Sequence, residues 1–177
     1  LRQDIEKLEE GYKKSFTSYD TDDSQKIVKM CLKDLWLDEK QNNPRNVRSS
    51  ISAAKNRGED AEMYASKVEY GDGKKAAIAK VFKMYDERLN TANALDFDDL
   101  LIKTVKLLRK SAETREKYND RYKYILVDEY QDTNALQFAL ISFLTEKQQN
   151  ICVVGDDAQS IYGFRQAAIR NILGFED

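Results

Sequence analysis

Two pairs of acids each follow a short apolar run, and this pattern could do phosphate chemistry. Tyr124-Ile-Leu-Val127 ends in Asp128–Glu129, and Ile151-Cys-Val-Val154 ends in Gly155-Asp156-Asp157. A carboxylate at the end of a buried strand can hold a hard cation, directly or through water. A second carboxylate beside it can orient or deprotonate an attacking water. Strand alternation turns the two side chains differently, which suits two separate roles. The same letters can also do no more than solvate a strand end. Gln159 follows the second run and could sense a phosphate without adding negative charge; it could equally make an ordinary turn hydrogen bond. Tyr162, Phe164 and Arg165 form a short aromatic and basic cluster. Rings stack on bases and an arginine binds phosphate, but core packing with a surface charge would look the same.

The elements around these residues suggest how they are positioned. Each apolar run reads as a buried parallel strand. Between them, Asn134 and Gln137 have capping-box spacing ahead of Leu136, Phe138, Leu140, Ile141 and Leu144, so a helix follows. Strand, helix, strand is one crossover unit of a parallel sheet. Ligands of such sheets sit beyond the C-terminal strand ends. An open α/β sheet usually needs about four strands or more, so the remaining strands are expected outside these 177 residues.

The first ninety or so residues read as helices joined by polar turns. Leu1, Ile5 and Leu8 recur at helical spacing before Gly11. Asp20-Thr-Asp-Asp23 offers a cap for a helix bearing Ile27, Met30, Cys31 and Leu35, with Trp36 beside them. Asn43-Pro44 opens a further helix carrying Val47, Ile51 and Ala54. Gly71-Asp-Gly73 is a turn, and the next helix carries Ile78, Val81, Phe82, Tyr85 and Leu89. A boundary is expected near Thr91-Ala-Asn93, dividing residues 1–92 from 93–177. Leu95-Asp-Phe-Asp-Asp-Leu100, with Leu101, Val105 and Leu108, reads as another amphipathic helix, and Ser111 caps a short polar one.

Composition narrows the class. Hydrophobic residues are 41% and charged residues 34%, as in a folded, helix-rich chain. The net charge of −2 supplies no global basic field, so contact with nucleic acid would need a local patch. Cys31 and Cys152 both lie in apolar runs and read as buried thiols in a reducing compartment. With no histidine and two cysteines, a zinc site is not expected. No apolar run approaches the length of a membrane span and no signal-peptide pattern is present, so a cytoplasmic location is expected.

Beyond these local readings, Ile125-Leu-Val-Asp-Glu-Tyr-Gln-Asp-Thr-Asn134 closely resembles the Walker B segment of superfamily 1A DNA helicases of the UvrD, PcrA and Rep type. Val153-Val-Gly-Asp-Asp-Ala-Gln-Ser-Ile-Tyr-Gly-Phe-Arg165 resembles their third helicase motif, at a spacing typical of the family. Leu95-Asp-Phe-Asp-Asp-Leu-Leu101 is similar to a helix that precedes the Walker B strand. Tyr19-Asp-Thr-Asp-Asp23 and Ile51-Ser-Ala-Ala-Lys-Asn56 resemble parts of the family's inserted helical subdomain.

The resemblance implies a partial P-loop NTPase (RecA-like) parallel sheet with a mostly helical inserted subdomain. Residues 1–92 would be the inserted subdomain and 93–177 the later part of the first motor domain. Asp128 would coordinate the Mg²⁺ of MgATP through water, and Glu129 would be the catalytic base. Gln131 would link the nucleotide site to neighbouring motor elements. Gln159 would contact the γ-phosphate region and relay its state. Tyr162 and Phe164 would face single-stranded DNA, with Arg165 contacting DNA or bracing the loop. The partners implied are single-stranded DNA, junctions of single- and double-stranded DNA, and the remaining helicase domains. Relatives of this type usually travel 3′ to 5′.

The chain also departs from the family pattern. Ala158 stands where many relatives have an acid, and Gln166 where glycine is frequent. The segment from Arg57 to Gly73 looks shorter than in many relatives. No GxxxxGK[ST] phosphate loop occurs in the sequence, so this chain by itself is expected to have little or no ATPase activity. Three other readings compete: a noncatalytic DNA- or protein-binding module of a helicase-nuclease or degenerate helicase, an unrelated ATPase, and a purely structural helical protein. The intact Asp128, Glu129 and Gln159 argue against the first. The Tyr162–Arg165 cluster argues against the second, and the third leaves the DEYQD segment unexplained.

Overall fold

The computed structural model describes residues 1–155. The fold is mixed α/β, mostly helical with two small parallel sheets. It divides into two compact units, Leu1–Lys103 and Thr104–Asp177. The division falls within a helix at Phe97–Lys110.

In the first unit, Ile5–Leu8 forms a single 3₁₀ turn rather than a longer helix. Strand β1, Thr17–Ser18, pairs in parallel with β2, Ala94–Leu95. Helices α1 (Thr21–Asp34), α2 (Pro44–Asn56), α3 (Ala61–Ser66) and α4 (Gly73–Thr91) lie between them in sequence. Local chemistry starts each helix. Side chains of Asp20, Asn43, Asp60 and Asp72 accept backbone N–H bonds from the first turns of α1, α2, α3 and α4. The expected positions of α2 and α4 form the core, but in α1 only Cys31 does: Met30 is 53% exposed and Ile27 and Leu35 are partly buried at its edge, with Val28 and Leu32 inside instead. Val28, Cys31 and Leu32 of α1 meet Val47, Ile51 and Ala54 of α2 and Ile78, Val81, Phe82, Tyr85 and Leu89 of α4. Truncating a ring such as Phe82, which is fully buried, to alanine would cost about 3–5 kcal/mol.

Trp36 does not join this apolar face. The helix ends at Asp34, Trp36 takes a left-handed φ of 56°, and its side chain is 95% exposed. Two hydrogen bonds close the helix around it, from Trp36 N–H to the Lys33 carbonyl and from Leu37 N–H to the Leu32 carbonyl. This end-of-helix turn usually takes glycine.

Helix α5 spans Phe97–Lys110, and α6 spans Ala112–Arg121 with Ser111 as its cap. In the second unit β3 (Ile125–Val127) is followed by a 3₁₀ turn (Tyr130–Asp132), α7 (Ala135–Thr145) and β4 (Ile151–Val153). The capping box of Asn134 and Gln137 is formed in both directions. β3 and β4 pair in parallel, with Leu126 opposite Cys152. The strand–helix–strand order and the parallel pairing match the sequence pattern, but burial does not. Leu126 is 78% exposed and the Cys152 thiol is exposed. Among the described residues this face of the sheet has no covering layer, so an apolar run did not guarantee a buried one. Only Cys31 is the buried thiol expected, and neither cysteine is in a disulfide. Among the described residues no helix is long and apolar enough to cross a membrane.

Candidate nucleotide site at the end of β3

Backbone pairing continues past the ends of β3 and β4 and sets the geometry of the acids. Val154 donates its N–H to the Val127 carbonyl at 2.8 Å, and its carbonyl accepts from Tyr130 N–H at 3.0 Å. One residue on the β4 side therefore spans two on the β3 side. Asp128 and Glu129 are looped out between these anchors, as in a β-bulge, and both are exposed. Glu129 has φ 53° and ψ 40°, a left-handed conformation rarely adopted by glutamate. Such strain often sits at functional sites. Tyr130 is buried beneath, and burial pushes its phenol up from the usual range.

The two carboxylates have different partners. Asp128 Oδ1 accepts the N–H of Glu129 at 2.9 Å. Glu129 Oε2 accepts from Gln131 Nε2 at 2.6 Å. Gln131 is 2% exposed, so its amide reaches Glu129 from within the protein. Among the described residues, no lysine or arginine forms a salt bridge with either acid, and no cluster of three or more metal-ligating side chains occurs. Exposed oxygen donors without a fixed cation fit a hydrated divalent ion that takes its other ligands from waters and phosphates. Asp132 Oδ1 is buried without a hydrogen-bond partner among the described residues.

Asp156, Asp157, Gln159, Tyr162, Phe164 and Arg165 lie outside the described residues. The structure brings Asp128, Glu129 and Gln131 together.

Comparison with known proteins decides the family. The UvrD/REP helicase N-terminal domain family matches residues 1–177. This chain belongs to the UvrD/REP helicase family. It is 42% identical to an ATP-dependent DNA helicase PcrA of Staphylococcus epidermidis, over 100% of this chain and 24% of that protein. It is 43% identical to PcrA of Bacillus subtilis over 99% of this chain and 23% of that protein. It is also 43% identical to the ATP-dependent DNA helicase UvrD1 of Mycobacterium tuberculosis, over 96% of this chain and 23% of that protein. The UvrD/REP chain thus spans about a quarter of the length of these relatives.

The first unit of this UvrD/REP chain holds a buried ionic cluster that sequence reading missed. Lys55 Nζ lies 2.9 Å from Asp96 Oδ2, 2.9 Å from Asp99 Oδ1 and 3.2 Å from Asp86 Oδ1. The Tyr85 hydroxyl donates to Asp96 at 2.9 Å. Beside it, Asn56 Nδ2 donates to Asp98 Oδ1 at 2.7 Å. The bonds from Lys55 to Asp96 and Asp99 and from Asn56 to Asp98 join Ile51-Ser-Ala-Ala-Lys-Asn56 to Leu95-Asp-Phe-Asp-Asp-Leu100, two segments quoted separately from the sequence. The only signal was their acid and lysine content. Burial pushes Asp99 up to about 6, against Lys55 and assisted by Asp96. Burial also raises Asp96, but Lys55, Tyr85 and the Asp99 N–H outweigh it and hold that carboxyl below its usual range. A shallow cleft next to the cluster is lined by Ser24, Arg48, Tyr85, Phe97 and Asp98 among others. Phe97 is 60% exposed there, and Arg48 Nε is buried without a partner among the described residues.

Proposed function

We propose that this chain supplies the metal-holding and water-activating half of the ATP site of a DNA helicase or translocase. The observation that carries this reading is the looped-out Asp128–Glu129 pair, with Glu129 fixed by a buried amide. Asp128 would hold Mg²⁺ through water; the ion would supply charge neutralisation at the nucleotide phosphates. Glu129, held by the Gln131 amide, would accept a proton from the attacking water. The surrounding fold would be the later part of a RecA-like motor domain, residues 93–177, with residues 1–92 as an inserted helical subdomain.

Gln159 would sense the γ-phosphate, and Tyr162, Phe164 and Arg165 would meet single-stranded DNA. Stacking tolerates any base, so binding would be independent of sequence. The relatives named above are ATP-dependent DNA helicases, which supports ATP hydrolysis coupled to work on DNA; movement would be 3′ to 5′ and the location cytoplasmic. Junctions of single- and double-stranded DNA and the other helicase domains would be the partners.

The test is Glu129→Gln in the full-length protein that carries this chain. ATP hydrolysis should fall by at least about 100-fold while binding of a fluorescent ATP analogue persists. Retained hydrolysis would remove Glu129 from the mechanism. The 177-residue chain assayed alone should show no Mg²⁺-dependent hydrolysis, since it has no phosphate loop.

A further inference from the structure

We infer that Gln131 is the positioning residue for Glu129, and that position 155 is glycine so that the Gln131 amide can enter. This rests on the reading of Glu129 as the water-activating base.

Three observations converge. Glu129 is on a looped-out, left-handed residue whose backbone does not fix the direction of its long side chain. Its carboxylate accepts a hydrogen bond from Gln131 Nε2, at 2.6 Å. Gln131 is almost fully buried, so its amide is a fixed donor rather than a swinging surface group. A short bond from a buried amide holds one carboxylate oxygen and leaves the other free to face a water.

Gly155 completes the arrangement. A β-carbon built on it would lie 2.9 Å from Gln131 Oε1, 3.4 Å from Gln131 N and 3.4 Å from Tyr130 Cβ. Gly155 is not among the residues with positive φ, so backbone freedom does not explain the glycine; space does. An added methyl meets the far end of the Gln131 side chain, which must rotate out of its packed position. That rotation withdraws Nε2 from Glu129. The end of β4 therefore controls the base through one side chain.

The test uses the full-length protein. In Gln131→Met, which keeps length but has no donor, kcat for ATP hydrolysis should fall about 10- to 100-fold, the scale expected for a misplaced reacting group. The KM for ATP and the affinity for MgADP should stay within about threefold, which also shows that the site is folded. Gly155→Ala should give the same kcat loss with the same unchanged MgADP affinity. The decisive measurement is Gly155→Ala in a Gln131→Ala background, where no amide remains to be displaced. There the second substitution should change kcat by less than about twofold.

Unchanged kcat in Gln131→Met would overturn the inference, and so would losses that multiply in the double variant. Glu129→Gln separates the two levels. If it abolishes hydrolysis while Gln131→Met does not impair it, only the positioning role fails. If Glu129→Gln remains active, the reading of the base fails with it.

Discussion

The ammonium of Lys55 sits 2.9 Å from the carboxylate of Asp96, and the two residues are 41 positions apart in the chain. Both are buried. The bond joins the C-terminal part of α2 to the residue between β2 and α5, where Tyr85 of α4 also donates to Asp96. Removing one partner of a buried pair strands the other, at a cost of about 3–5 kcal/mol. Lys55→Met leaves Asp96 and Asp99 facing each other without a cation. Urea unfolding of the chain should show a loss of that size; a loss below about 1 kcal/mol would mean the carboxylates find another partner or take up protons at little cost.

Asp99 gives the cluster a pH dependence. Its folded value of about 6 lies above the value near 3.9 expected for an unfolded aspartate. A raised carboxyl stabilises the fold fully below the unfolded value, and that contribution is lost as pH rises through the folded one. The wild-type chain should therefore lose on the order of 2–3 kcal/mol from this group between about pH 4 and pH 6.5. Asp86 is raised by burial and acts in the same direction. Asp96 is lowered, so its contribution disappears only at more acidic pH. Asp99→Asn keeps an oxygen for Lys55 and cannot ionise. Its stability relative to wild type should climb across pH 4.5 to 7.5 in parallel urea titrations; a flat difference would remove Asp99 as the titrating group.

Trp36 invites a stabilising change. An L-residue in the left-handed region costs roughly 1–2 kcal/mol, and at 95% exposure the indole gains little from burial. Trp36→Gly should raise the thermal midpoint by an amount equivalent to about 1 kcal/mol. A fall in the midpoint would show that the indole contributes more to the fold than its exposure implies.

The two thiols should differ in reactivity. Burial pushes the Cys31 thiol up, whereas Cys152 is exposed. A thiol reagent at neutral pH should modify Cys152 within minutes and Cys31 only at the rate of opening. Equal rates without denaturant would contradict the core placement of Cys31.

Features set by neighbouring residues were legible in the sequence. Asp20, Asn43, Ser111 and Asn134 cap the helices expected, because capping depends on bonds spanning two or three residues. The core positions of α4 were legible through their helical period. Strands β1 and β2 were not, since two residues carry no period and their pairing crosses most of the first unit. The Lys55 cluster was hidden for the same reason. Leu126 misled because hydrophobicity records what a residue prefers, not whether a layer covers it among the described residues. At the site, Asp128, Glu129 and Gln131 were visible as letters. The left-handed backbone of Glu129 and the clearance at Gly155 were not, because both depend on how Val154 bonds to Val127 and Tyr130.

The backbone at Glu129 sets evolutionary pressures against each other. Glycine would suit a φ of 53° better and would relieve about 1 kcal/mol of strain, yet it would delete the proposed base. On the proposed role of Glu129, selection for a more robust fold would favour an inactive enzyme at this position. A screen of variants by thermal resistance alone should enrich glycine at position 129, and a screen by turnover should purge it. Opposite outcomes from the two screens would mark this residue as one kept for chemistry at the expense of the scaffold.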